Sequence, residues 1–96
     1  MIVFFDPLAD KEYRDAFDNY ETQKPGLGED FRNAVGSALQ IVLFYPEAGP
    51  EVRPGVRKIL LKRFPYKLIY SITDKGLYII ALAHGHRAPE YWLERA

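Results

Sequence analysis

His84 and His86 stand two residues apart, and Arg87 follows them directly. An imidazole titrates near neutral pH, so either ring can give or take a proton. A guanidinium can grip a phosphate through two parallel hydrogen bonds. Lys58 and Lys67 add point charges, and Tyr91 adds a hydroxyl. Cutting RNA through its own 2′-hydroxyl needs these side-chain types: a base for that hydroxyl, cations for the phosphate and an acid for the leaving oxygen. Residues 84 and 86 point the same way if the strand persists through Gly85. Each residue also has a plainer use. A histidine ending a strand serves as a hydrogen-bonded structural group, Lys58, Lys62 and Arg63 solvate a hairpin, and Tyr91 with Trp92 packs a tail. Two histidines and no cysteine are too few ligands for zinc, so no metal site is expected, and no cofactor or small-molecule substrate is called for.

The elements that must position these residues are readable from periodicity. Ile2–Phe5 is a short β-branched and aromatic run that reads as a buried strand. Asp6-Pro7 ends it and suits a helix N-cap followed by proline at the first helical position. Ala9, Tyr13, Ala16, Phe17 and Tyr20 then form a helical stripe, with Asp10, Glu12, Asp15 and Asp18 largely off it. A second stripe, Phe31, Ala34, Val35, Ala38, Leu39 and Val42, predicts a helix from about Gly28 to Phe44. The two make an αα-hairpin through Thr22–Leu27. Residues 46–55 read as an irregular crossing segment rich in proline and glycine. Arg57–Phe64, Tyr66–Ser71 and Leu77–His84 read as strands of an antiparallel meander. Both faces of the last two are partly apolar, so these strands are expected at the sheet centre, one face under the helices and the other carrying polar and cationic groups. The expected fold class is α+β: a short N-terminal strand, a helical hairpin, a three-stranded meander and a short C-terminal tail with Pro89 opening a helical turn.

Ninety-six residues make one domain, 1–96. The chain has no long apolar run and no secretory leader pattern, so a cytoplasmic protein that does not enter membranes is expected. Its formal charge is zero, but residues 1–51 carry four basic and ten acidic side chains, a net of −6. Residues 52–96 carry nine basic and three acidic, a net of +6. The asymmetry places an interaction surface on the second half, unless the two halves simply pair with each other.

Arg57–Ile72 resembles the core strand pair of the RelE/ParE toxins, the toxin halves of type II toxin–antitoxin modules. Leu77–Arg87 resembles the family's last strand with its His-x-x-Arg ending. The order of elements and the length resemble the family too. RelE-like members are ribosome-dependent mRNA endonucleases; ParE-like members bind and block DNA gyrase without cleaving anything. Both are neutralised by an antitoxin whose C-terminal segment wraps the toxin. The resemblance therefore implies a cognate antitoxin, encoded next door on a bacterial chromosome or plasmid, and a target that is either gyrase or the translating ribosome with its mRNA. Under the ribonuclease reading the catalytic set is His84, His86, Arg87, Lys67 and Tyr91. Lys58, Lys62, Arg63 and Arg87 are the expected target contacts, and Arg57, Lys62, Arg63 and Trp92 the expected antitoxin contacts. Some RNA-cleaving relatives alternate lysines along the first meander strand, whereas here Leu60 interrupts Lys58 and Lys62, and the chain is not basic overall. Those departures favour gyrase inhibition, with the endonuclease as alternative and a detoxified, partner-binding relative as a third reading. An excess of large apolar residues, including Val3, Phe4, Phe5 and Ile41–Tyr45, also calls for a partner or for burial on several sides.

Overall fold

The computed structural model describes residues 1–96. Strand β1 (Val3–Phe5) leads into helices α1 (Pro7–Gln23) and α2 (Leu27–Phe44), followed by β2 (Glu51–Arg53), β3 (Val56–Leu60), β4 (Tyr66–Thr73) and β5 (Gly76–His84). A single 3₁₀ turn, Leu93–Arg95, ends the tail. The strands form one five-stranded sheet in the order β1-β5-β4-β3-β2. The α+β expectation holds, and β4 and β5 are central as expected. Two strands flank the meander, however. β1 pairs parallel to β5 along the outer edge, so Ile2 and Phe4 are exposed and the segment is an edge strand, not a buried one. β2 arises inside the segment expected to be irregular and pairs antiparallel with β3.

Local chemistry explains the boundaries. The Leu8 amide donates to the Asp6 carboxylate at 2.8 Å, and Pro7 occupies the first helical position. Gly26, at φ 91°, offers no side-chain cap to α2. Glu21 takes that role by accepting from the amides of Gly26 and Gly28 at 3.0 Å each. Gly76, at φ 140°, closes the β4–β5 turn, where a Cβ would lie 2.2 Å from the Ile2 carbonyl oxygen. The expected strand Arg57–Phe64 stops at Leu60, because Arg63 at φ 72° turns the chain and sends Leu61 and Phe64 into the core.

The helical hairpin covers one sheet face through Phe31, Val35, Ala38 and Val42, packed on Leu68, Tyr70, Leu77, Ile79 and Leu82. The opposite face carries a smaller cluster, Val56, Ile69, Ile80, Ala81 and Trp92. That face is thus partly closed by the C-terminal tail, not left as an open polar surface.

One irregularity decides where the functional candidates point. The β4–β5 register runs Ile69↔Ala81 and then Tyr70↔Ile79, so Ile80 is an extra residue on β5. A bulge of this kind shifts every later side chain by one face. Leu77 and Ile79 face the helices as simple alternation requires, but beyond the bulge Leu82 joins them. His84 follows Leu82 to the helix side, while β4 alternation leaves Lys67 with Ile69 on the other.

Candidate functional site

Beyond Phe5, β1 no longer flanks β5, so the β5 edge from Ile80 onward has no strand neighbour. Its backbone groups need partners. Side chains supply them. Glu12, on α1, accepts the Leu82 amide at 3.1 Å, and Arg95 donates to the Ile80 carbonyl at 3.2 Å. The same two side chains form a two-bond ion pair, at 2.9 and 3.1 Å. Tyr91 donates its hydroxyl to Glu12 at 2.7 Å. Glu12 is 16% exposed and Arg95 12%. Glu12 therefore lies on the inner side of α1, among Ala9, Tyr13 and Ala16, and not off the stripe. The bond to Glu12, opposed in part by burial, raises the Arg95 pKa. Burial and the bond to Glu12 push the Tyr91 phenol far above its ordinary value, so the hydroxyl keeps its proton.

Next to this cluster the chain turns, with the Arg87 amide donating to the His84 carbonyl at 3.0 Å. The strand ends at His84, yet the two imidazoles remain neighbours, 4.9 Å between ring centroids. His84 Nδ1 accepts the His86 amide at 3.0 Å, and the His84 ring stands edge-on to Tyr66 at 5.1 Å. Arg87 lies over the Tyr91 ring, Cζ 3.8 Å from its centroid, with Glu12 Oε2 at 3.9 Å. Glu12, Asp15, Asn19, Tyr66, His84 and Arg87 line a cleft of about 280 Å³ between α1 and the end of β5.

Of the expected catalytic set, His84, His86, Arg87 and Tyr91 come together, and Lys67 does not, since the bulge puts it on the other sheet face from His84. Tyr91 is engaged by Glu12 and is not free to exchange a proton with a substrate. Lys58 shares the Lys67 face, its strand partner being Ile69. No carboxylate pairs with Lys58, Lys62 or Lys67, whereas Arg63 meets Asp30 at 3.6 Å and Arg95 meets Glu12 at 2.9 Å across the two halves. The acidic and basic halves thus pair only in part. No group of three or more His, Asp or Glu side chains is arranged to hold a metal.

The expected antitoxin contacts divide. Lys62 and Arg63 line an open groove of about 290 Å³ between α2 and β3, with Ile41, Ala38, Ile59 and Leu60 as its apolar wall. Phe44 and Tyr45, past the groove at the end of α2, are 75% and 70% exposed, so the apolar run Ile41–Tyr45 is not buried on several sides. Arg57 is engaged within the fold, donating to the Gly49 carbonyl at 2.8 Å. Trp92, on the tail, is 3% exposed against Val56, Ile69, Ile80 and Ala81, and a partner reaches it only if the tail lifts.

Sequence reasoning missed Glu12 and Arg95. A usable signal existed for Glu12: it lies three residues after Ala9 and four before Ala16, which is core spacing for a carboxylate. Nothing local marked Arg95.

The family model of the ParE toxin of type II toxin–antitoxin systems, parDE, matches residues 3–89. No curated protein matches the sequence. Among solved structures, the chromosomal ParDE system from P. aeruginosa is similar with a TM-score of 0.73 at 18% identity, over 88% of this chain and 95% of that one, a likeness of fold. The isolated E. coli RelE toxin is similar at 0.66 and 26% identity, over 97% and 93% of the two chains. The intact E. coli RelBE toxin–antitoxin complex is similar at 0.66 and 25% identity, over 90% and 98%. With the family model covering nearly its whole length, the chain belongs to the ParE toxins of type II toxin–antitoxin systems.

Proposed function

We propose that this toxin arrests growth by binding DNA gyrase in the cytoplasm without cleaving nucleic acid, and that a cognate antitoxin neutralises it. The observation that carries the non-catalytic reading is the state of Tyr91. Its hydroxyl is committed to Glu12 at 2.7 Å, and its pKa is driven upward, which takes Tyr91 out of the acid–base candidates and leaves the two imidazoles alone beside Arg87. The separation of Lys67 from His84 across the sheet also supports it, because phosphate cations and the base must meet at one scissile bond. No helix is long and apolar enough to cross a membrane. Purified protein added to gyrase should stop supercoiling of relaxed plasmid. Unchanged supercoiling at stoichiometric excess would overturn the reading.

The RNA-cleaving alternative rests on one arrangement, the contiguous arc of His84, His86 and Arg87. Primer extension on translated mRNA tests it, since ribosome-dependent cuts abolished by Arg87→Ala would replace gyrase as the target. A detoxified relative would leave growth unaffected when produced without antitoxin.

The groove between α2 and β3 is the surface best suited to the antitoxin. It joins an apolar wall to the unpaired Lys62, and an acidic amphipathic segment complements both. An E. coli RelE variant in complex with an antitoxin RelBc peptide is similar to this chain, with a TM-score of 0.65 at 25% identity over 99% of this chain and 93% of that one.

A further inference from the structure

We propose that Tyr91 is a positioning residue for Arg87: its ring is the platform that holds the guanidinium at the open end of β5, and the buried Trp92 beside it, with Arg95, holds the platform. The inference rests on the reading that Arg87 touches the toxin's target.

The geometry separates what holds Arg87 from what merely lies near it. Glu12 is its nearest carboxylate, at 3.9 Å, beyond a hydrogen bond. Both Glu12 oxygens are already engaged by the Leu82 amide, the Tyr91 hydroxyl and Arg95. The Tyr91 ring, by contrast, lies 3.8 Å from Arg87 Cζ, which is stacking distance for a guanidinium on a π face. The ring is held by its surroundings without need of the hydroxyl: the next residue, Trp92, is buried against Val56, Ile69, Ile80 and Ala81, and Arg95 Cζ lies 5.2 Å from the ring centroid. Arg87 itself remains 52% exposed, so its donors are available to a ligand. An arginine held in place beforehand loses less side-chain freedom on binding than a free one.

This role differs from an acid–base role and from simple tail packing. An acid–base role needs the hydroxyl; a platform needs only the ring. Tail packing would affect stability whether or not Arg87 is present.

Three variants, Tyr91→Phe, Tyr91→Leu and Arg87→Ala, together with the Tyr91→Leu/Arg87→Ala double variant, distinguish these roles. Growth inhibition on induction without antitoxin is a readout that does not depend on the target's identity. Thermal unfolding and the Arg87 side-chain proton shifts are measured in parallel. The expectation is that Tyr91→Phe stays close to wild type in toxicity, while Tyr91→Leu and Arg87→Ala each lose about tenfold. Tyr91→Leu should lower Tm less once Arg87 is gone, because the stack it removes is already lost, and should cost no further toxicity there. A further loss of toxicity in the double variant would overturn the proposal in favour of tail packing. A Tyr91→Phe as weak as Tyr91→Leu would overturn it in favour of the hydroxyl. Full toxicity of Arg87→Ala would remove the reading of Arg87 as a target contact. The platform would then stand or fall on the Arg87 protons. They should be ring-current shifted upfield in wild type and Tyr91→Phe and lose the shift in Tyr91→Leu, and their absence from the shifted region in wild type would end the proposal.

Discussion

Glu12 accepts the Leu82 amide at 3.1 Å at a level of the sheet where β1 has already ended. A side chain from α1 thus does locally what a neighbouring strand would do, and the ion pair with Arg95 completes the substitution at the Ile80 carbonyl. Removing the carboxylate strands an amide, a phenol and a guanidinium together. Glu12→Ala should destabilise the fold by about 3 kcal/mol, within the range for losing one partner of a half-buried charged network. Glu12→Gln keeps one acceptor oxygen of the two and should cost about half as much. Urea unfolding measures both, and a loss under about 1 kcal/mol in Glu12→Ala would show that water replaces the carboxylate at little cost.

Much of the fold follows from local patterns, and the site mostly does not. Pro7 and the Pro25-Gly26 pair bound α1, and the stripe from Phe31 to Val42 locates α2 because 3.6-residue periodicity is strong over that length. The β5 bulge is invisible for a physical reason. Tyr78, Ile80 and Ala81 are all compatible with burial, so neither phase of alternation places a charge in the core, and nothing in the pattern pins the slip. His84 is consequently assigned a face only by the three-dimensional register. β2 escapes notice because Glu51–Arg53 is three residues long and stands between prolines. Arg95 meets Glu12 across 83 positions of sequence, a separation no periodicity encodes. The exposed end of α2 was legible as an anomaly, an apolar run too long for a helix of this size to bury.

Tyr70 anchors the crossing segment from beneath. Its hydroxyl donates to the Pro46 carbonyl and accepts the Gly49 amide, both at 3.0 Å. Gly49 has no room for a side chain, since a Cβ would lie 1.9 Å from the Lys58 carbonyl oxygen. Tyr70→Phe should cost about 1–3 kcal/mol by leaving a buried amide without a partner. Gly49→Ala should cost more, because it displaces the backbone of β3. Hydrogen exchange should show both effects concentrated in β2 and β3, and protection unchanged there would contradict the anchoring role.

Stability should fall on the alkaline side with a contribution from Tyr91. Burial and the bond to Glu12 raise its pKa above the ordinary 10.0 in the folded protein. The folded state therefore holds this proton more tightly than the unfolded chain. The stabilisation is complete below about pH 10 and is lost as pH climbs toward the folded value. Tyr13, Tyr20, Tyr66 and Tyr78 shift in the same direction, chiefly through burial, so wild type should lose stability progressively above pH 10. Tyr91→Phe should show a shallower decline in urea unfolding between about pH 9 and 11. Parallel declines in the two proteins would mean that Tyr91 is neither buried nor bonded to Glu12 in solution.

The groove between α2 and β3 should be separable from the fold, because its exposed members contribute little to it. Leu60 is 68% exposed, and Lys62 is exposed without an ion-pair partner. Leu60→Glu and Lys62→Glu should each leave stability within about 0.5 kcal/mol of wild type. If an acidic antitoxin segment lies in this groove, each substitution replaces a favourable contact by like-charge repulsion and should weaken the complex by about tenfold or more. The two differ in what remains. Lys62→Glu removes a cation, so the fall of affinity with salt should become shallower, whereas Ile41→Ala removes only apolar contact and should leave the salt slope as in wild type. Titration calorimetry with the purified antitoxin at two salt concentrations reads both effects. Affinity that ignores salt in wild type and is untouched by Leu60→Glu would place the antitoxin on another face.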